Sequence, residues 1–186
     1  MPLSEQQRAA LLDTAWRSIR HGLAHGTPLH VDPAKFDHAL TGNGASFVTL
    51  HAQGVLRGCI GSLEAFRPLV NDVAENAFAA AFRDPRFAPV EQAEMGNIKL
   101  DISVLGKPEA LEFSSQQDLL EQIRPGLDGL ILKDGPRRGT FLPSVWESLP
   151  AREDFLRQLK LKAGLPPGHW SDTLEVWRYT TECFGD

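Results

Sequence analysis

The dipeptide Gln53-Gly54, set between two short strand-like runs, does most to limit what this chain can fold into. Residues 46–52 and 55–61 have strand length, and a two-residue turn ending in glycine joins antiparallel neighbours. A second turn signal, Asp134-Gly135-Pro136, separates apolar runs at 129–133 and 138–142. Parallel strands need crossovers of a dozen or more residues, so two tight hairpins argue for a mixed or antiparallel sheet. Helical spacing surrounds them. Ser4 and Gln7 make a capping box ahead of a face of Leu11, Leu12, Ala15, Trp16, Ile19 and Leu23, which Gly22 or Gly26 can end. Leu69, Val70, Val73, Ala74, Ala77 and Ala81 repeat at the same period until Asp84-Pro85 stops them. Further helices are expected at 115–123, 143–149 and 152–163, a helical turn at 34–40, and strands at 100–105 and 174–181. Helices and strands without strict alternation define an α+β fold, a mixed or antiparallel sheet flanked by helices.

Composition bounds the function classes. A chain of 186 residues with 42% hydrophobic and 23% charged residues can bury one sizeable core. No run reaches the roughly 18 apolar residues that cross a bilayer, so no membrane partner is expected. Met1 to Gln7 lacks the basic-then-apolar order of a signal peptide. Cys59 and Cys183 form neither a disulfide framework nor a Cys-x-x-Cys pair, which points to the cytoplasm. A net charge of −5 argues against duplex nucleic acid as a partner. It leaves room for a local anion site, because Arg57, Arg67, Arg83 and Arg86 fall close together. The alternative is that most of these arginines are solvated.

The chemistry concentrates in Leu56-Arg57-Gly58-Cys59-Ile60-Gly61-Ser62. Glycine within a strand marks a bulge or a close backbone approach. Cys59 is either a nucleophile or a small packed thiol. The nucleophilic form of cysteine is the thiolate, which wants a cation or base nearby. Arg57, two residues away, is the nearest cation by strand alternation. His51 on the preceding strand depends on register. A two-residue loop places Cys59 opposite Val48 and turns His51 to the other face. A longer loop, or one bulge, puts Cys59 on the face of Phe47, Thr49 and His51.

A second constellation, Arg83-Asp84-Pro85-Arg86-Phe87, follows a helix. Arg86 either presents its fork to a carboxylate or phosphate, or pairs with Asp84 to fix the turn. No metal or cofactor is expected. His21 and His25 lack a third ligand in motif spacing, and Gly42-Asn43-Gly44 precedes a strand rather than a helix.

In this order, Leu56-Arg57-Gly58-Cys59-Ile60-Gly61, Asp84-Pro85-Arg86-Phe87 and Ile102-Ser103-Val104-Leu105 resemble the AMMECR domain family, found in bacteria as protein A of the AmmeMemoRadiSam system. Gly126 to Leu132, Phe141-Leu142-Pro143-Ser144-Val145-Trp146 and Lys162-Ala163-Gly164-Leu165 extend the resemblance, with Ser144 where members often carry glutamine or glutamate. The resemblance spans about 11–184. It implies that 1–186 is one AMMECR-like domain of two subdomains, the larger holding both termini and the smaller β-rich, with a cleft between them near the hexapeptide. It also implies association with a Memo-like protein and a radical SAM protein.

Two functional readings follow. In the first, an enzyme acts on a small molecule or nucleic acid base. Cys59 is its nucleophile or redox thiol, Arg57, Gly58, Gly61 and Arg86 bind substrate, and Asp84 or Glu94 orients an arginine or moves a proton. In the second, the protein is a binding or scaffold component with a buried Cys59, receiving a peptide, a nucleotide or a partner loop.

Overall fold

The capping box forms at the N-terminus: Gln7 N–H donates to the Ser4 hydroxyl and the Gln7 side chain accepts from Ser4 N–H, opening α1 (Glu5–His25), which ends at Gly26. The computed structural model describes residues 2–186. They divide into two units, one running to Leu105 and resuming at Glu182–Asp186, the other Gly106–Thr181.

In the first unit a 3-10 turn (Pro33–Lys35) and α2 (His38–Thr41) precede β1 (Asn43–Gly44), β2 (Ser46–Ala52), β3 (Val55–Gly61) and β4 (Arg67–Pro68). Then come α3 (Leu69–Phe82), a 3-10 turn (Gln92–Asn97) and β5 (Ile98–Leu105). β1 pairs with β4 in a small separate ladder, while β2 pairs antiparallel with both β3 and β5. One sheet face presents Val48, Leu50, Leu100 and Ile102 to Val70, Val73, Ala74 and Ala77 of α3, and α1 packs on α3 through Leu11, Ala15 and Ile19. Each valine, leucine and isoleucine among them contributes about 1.5–3 kcal/mol on burial. The helix period of α3 and the alternation of β2 and β5 are two views of this one contact.

A polar knot crosses that core. Asp72 of α3 is wholly buried, and one of its oxygens accepts from Ser46 N–H at 2.8 Å, the Ser46 hydroxyl at 2.7 Å and the Asn76 amide at 2.9 Å. Its other oxygen accepts from the Ser62 hydroxyl at 2.7 Å and Arg67 at 2.9 Å. A buried carboxylate is tolerated only when satisfied in this way. The knot ties α3 to the start of β2 and to the chain leaving β3.

The second unit contains β6 (Glu109–Leu111), α4 (Gln116–Gln122), β7 (Gly129–Asp134), β8 (Arg137–Phe141), a 3-10 turn (Pro143–Glu147), α5 (Arg152–Lys162) and β9 (Glu175–Tyr179). Its sheet runs β6-β9-β7-β8, antiparallel throughout. Leu130, Leu132 and Val176 cluster with Leu119 of α4, Phe155 and Leu159 of α5, and Trp146. The Trp146 and Phe155 rings stack 3.8 Å apart. The chain then forms β10 (Thr181–Gly185), which pairs with β5 and completes the first unit's sheet in the order β10-β5-β2-β3.

Three local expectations change. The single strand over 174–181 is two strands in different sheets. Thr180 and Thr181 carry uninterrupted β propensity, so no glycine or proline marks the exchange. The helix expected at 143–149 is a 3-10 turn begun by Pro143. Short β1, β4 and β6 had no pattern to announce them. Among the described residues, no helix is long and apolar enough to cross a membrane.

Candidate functional site

The β2–β3 hairpin decides where Cys59 faces. Gln53 and Gly54 both have left-handed φ, 52° and 77°, the backbone a two-residue type I′ turn requires, and Ala52 pairs with Val55. A two-residue loop alone would set Cys59 opposite Val48. Instead the register shifts between Leu50 and His51: His51 pairs with Leu56, Leu50 with Gly58, and Arg57 is the extra residue of a bulge. Cys59 therefore stands opposite Thr49, on the side away from the helices. The short loop and the bulge, alternatives from sequence, occur together.

Both glycines of the motif answer to packing, one on each face. A Cβ on Gly58 would lie 2.1 Å from the Ala80 carbonyl oxygen, so this position is where α3 settles onto the strand. A Cβ on Gly61 would lie 2.2 Å from the Phe47 ring, which covers that backbone from the other side. These contacts make them architectural residues of the site.

Arg57, Arg86, Asp84 and Glu94 form two clamps. Arg57 grips Glu94 through two parallel bonds of 2.8 and 3.0 Å and donates to the carbonyls of Ala88 at 2.9 Å and Pro89 at 3.4 Å. Glu94 also accepts from Glu91 N–H at 2.8 Å, capping its own 3-10 turn. The Arg57 bonds, with capping, hold the Glu94 carboxyl below its usual range. Arg86 grips Asp84 through bonds of 2.9 and 2.7 Å. Asp84 accepts the Cys59 N–H at 2.9 Å, and Arg86 donates to the Cys59 carbonyl at 3.3 Å. β3 is an edge strand, and Asp84 and Arg86 occupy the peptide groups of Cys59 that a further strand would have taken. The Arg86 bonds, then those from the backbone, hold the Asp84 carboxyl far below the usual carboxylate range despite its burial.

Of the four clustered arginines, three pair with carboxylates: Arg57 with Glu94, Arg67 with Asp72 and Arg86 with Asp84. Arg83 lies over the Phe78 ring. The forks of Arg57 and Arg86 are engaged by the protein's own carboxylates, Glu94 and Asp84.

What reaches the open side of the sheet is a different set. Thr49 lies between Cys59 on β3 and Asp101 on β5, directly opposite each. The Thr49 hydroxyl donates to Cys59 Sγ at 3.3 Å. His51, two residues along β2, meets Asp101 with Nδ1 3.2 Å from Oδ2. Cys59 is half-buried, and the His51 and Asp101 side chains are 36% and 50% exposed. A thiol, hydroxyl, imidazole and carboxylate thus share one face. His51 was weighed from sequence and hung on the register. Thr49 and Asp101 were not singled out, and the polar alternation Lys99, Asp101, Ser103 was the signal for the second. Cys183 is exposed, 3.2 Å from the Ser103 hydroxyl. Among the described residues no three His, Cys, Asp or Glu side chains gather as metal ligands.

Fold and site together define an α+β protein with a thiol on the helix-free face of an antiparallel sheet. The chain belongs to the AMMECR1 family, whose model matches residues 12–184. A protein of Methanothermobacter thermautotrophicus is 38% identical over 189 residues, covering 98% of this chain and 96% of that protein. One from Thermotoga maritima is 36% identical over 170 residues, covering 90% and 92%. The crystal structure of an uncharacterised protein from Pyrococcus horikoshii is similar at a TM-score of 0.87 and 34% identity, covering 99% of this chain and 93% of that one.

Proposed function

We infer that this protein is a cytoplasmic enzyme whose Cys59 adds as thiolate to an electrophilic unsaturated carbon of a small molecule or nucleic acid base, the π electron pair moving onto the neighbouring atom, which receives the proton that left the thiol. The observation that carries the reading is the shared face of Cys59, Thr49, His51 and Asp101, produced by the Arg57 bulge. His51 is the base that takes the thiol proton, and Asp101 fixes its ring through Nδ1. His51 stands two residues along β2 from Thr49, the residue directly opposite Cys59. Arg57, Arg86, Asp84 and Glu94 are positioning residues that hold the Cys59 backbone and the bulge. Two cysteines outside any disulfide suit a reducing compartment.

A second reading has one observation in its favour: the charged groups of the motif satisfy one another, as they would in a scaffold. On that reading the protein is a non-catalytic component working with Memo-like and radical SAM proteins. A deletion strain complemented with Cys59→Ser, followed by an untargeted metabolite comparison, separates the two. The enzyme reading expects the profile of the deletion, with Cys183→Ser restoring the parent. Full restoration by Cys59→Ser overturns it in favour of the scaffold, which pull-down of the two partner proteins then tests.

A further inference from the structure

In the second unit β6 and β9 pair only as far as Leu111 and Val176. Beyond that pair the two chains part, and residues from 110–114 and 170–177 line a cavity of about 420 Å³, within the range of small-ligand sites. One wall is aromatic. The half-buried Phe113 and Trp170 pack against the core of this unit, their ring centroids 5.5 Å apart and their planes inclined at 61°. The charged groups in the lining are all carboxylates, those of Glu112, Asp172 and Glu175. Glu175 is already paired with Lys133. Glu112 and Asp172 are exposed, and among the described residues their carboxylates have no hydrogen-bond or ion-pair partner.

Both segments are held in place without help from those two carboxylates. Ser114 donates to Asp118 through its N–H at 2.9 Å and its hydroxyl at 3.1 Å, and the Gln122 amide donates to the Glu112 carbonyl at 2.8 Å. The Ser171 hydroxyl donates to Asp134 at 2.8 Å. With their protons committed, Ser114 and Ser171 offer the cavity only oxygen lone pairs. Apart from the indole N–H groups, the polar side chains of the lining are therefore acceptors. Walls fixed before a ligand arrives lower the ordering cost of binding. Lys160, which is buried and donates to Gln116 at 2.7 Å, lies 5.6 Å from the Trp170 ring, so this indole already engages one ammonium within the fold. The two unpaired carboxylates outweigh that single charge.

We propose that this cavity binds a small primary alkylammonium ion. The ammonium donates to Glu112 and Asp172, and the alkyl chain lies against Phe113 and Trp170. Hydrogen bonds between an ammonium and a carboxylate are roughly twice as strong as neutral ones, and aromatic faces attract cations, so both walls select the same charge. An anion would face three carboxylates. A neutral ligand would gain the aromatic wall alone. The site shares no residue with the Cys59 face, and its failure leaves the thiol reading standing.

The test is titration of the full chain, labelled at its tryptophan indole nitrogens, with n-pentylamine at neutral pH and constant ionic strength, followed by NMR. n-Pentanol and pentanoate carry a similar chain with a neutral and an anionic head. The proposal expects the amine to shift the Trp170 indole signal saturably, and both analogues to bind at least tenfold more weakly. Glu112→Gln combined with Asp172→Asn weakens binding at least tenfold, and so does Trp170→Leu. If the tryptophan variant fails to fold, the carboxylate variant carries the test, because its two side chains are exposed and unpaired. Cys59→Ser leaves the affinity unchanged, which separates this proposal from the thiol reading. Absence of a saturable shift at millimolar concentration, equal binding of either analogue, or binding undiminished in the double carboxylate variant overturns it.

Discussion

The two hairpins of this protein hold their charges with different tightness. In β2–β3 the arginines nearest the turn of interest are consumed by carboxylates of the same unit, and a thiol is left on the open face. In β7–β8, Lys133 and Arg138 line a cavity, and the carboxylate that follows, Asp134, faces a loop. The first hairpin is bulged and forms an edge, and its exposed peptide groups need partners. The second also ends in an edge strand, β8, but its register is regular and its Lys133 is held by a longer, exposed ion pair with Glu175. Charge close to a motif is therefore a weak guide to ligand charge until the backbone's own demands have been met.

Substitutions can break this contrast in order of expected effect. Gly58→Ala drives a methyl into the Ala80 carbonyl, a backbone atom that cannot swing aside. It is expected to cost about 3 kcal/mol, read as a lowered denaturation midpoint at unchanged slope. Asp84→Asn leaves Arg86 without its fork partner and weakens the hold on Cys59 N–H. A loss of about 2 kcal/mol is expected, moderated because the Arg86 side chain is 54% exposed. The same variant has a pH signature. The folded carboxyl is depressed, so its contribution is complete above the ordinary aspartate range and is lost as pH falls from about 4 toward the folded value. Thermal melts of Asp84→Asn should consequently lose less stability than the parent below about pH 4. Lys133→Gln is expected to change stability by no more than about 0.5 kcal/mol, since its ion pair is long and exposed. A large loss there would erase the contrast between the hairpins.

Legibility in the sequence followed the range of the interaction. Ser4 and Gln7, the hairpin ends at Ala52 and Val55, and the stop at Asp84-Pro85 are set by neighbours, and each lies where local chemistry places it. The α+β architecture followed from the same hairpins. The register of β3 did not, because Gly58 signals a bulge or a close approach and here serves beside one and makes the other. Glu94, 37 positions from Arg57, and Asp101, 50 positions from His51, meet their partners only through the fold. The exchange of sheets after Tyr179 was hidden by two threonines that suit either strand.

The central claim is that Cys59 is presented as a reactive thiol beside a His51–Asp101 pair. Site-resolved alkylation of the native protein with iodoacetamide at neutral pH, read by peptide mass spectrometry, tests it most directly. The account predicts that Cys59 is labelled without denaturation, at a rate that falls several-fold in both His51→Gln and Asp101→Asn, while labelling of Cys183 is unchanged. A Cys59 that reacts only after unfolding, or at a rate indifferent to both substitutions, would contradict it.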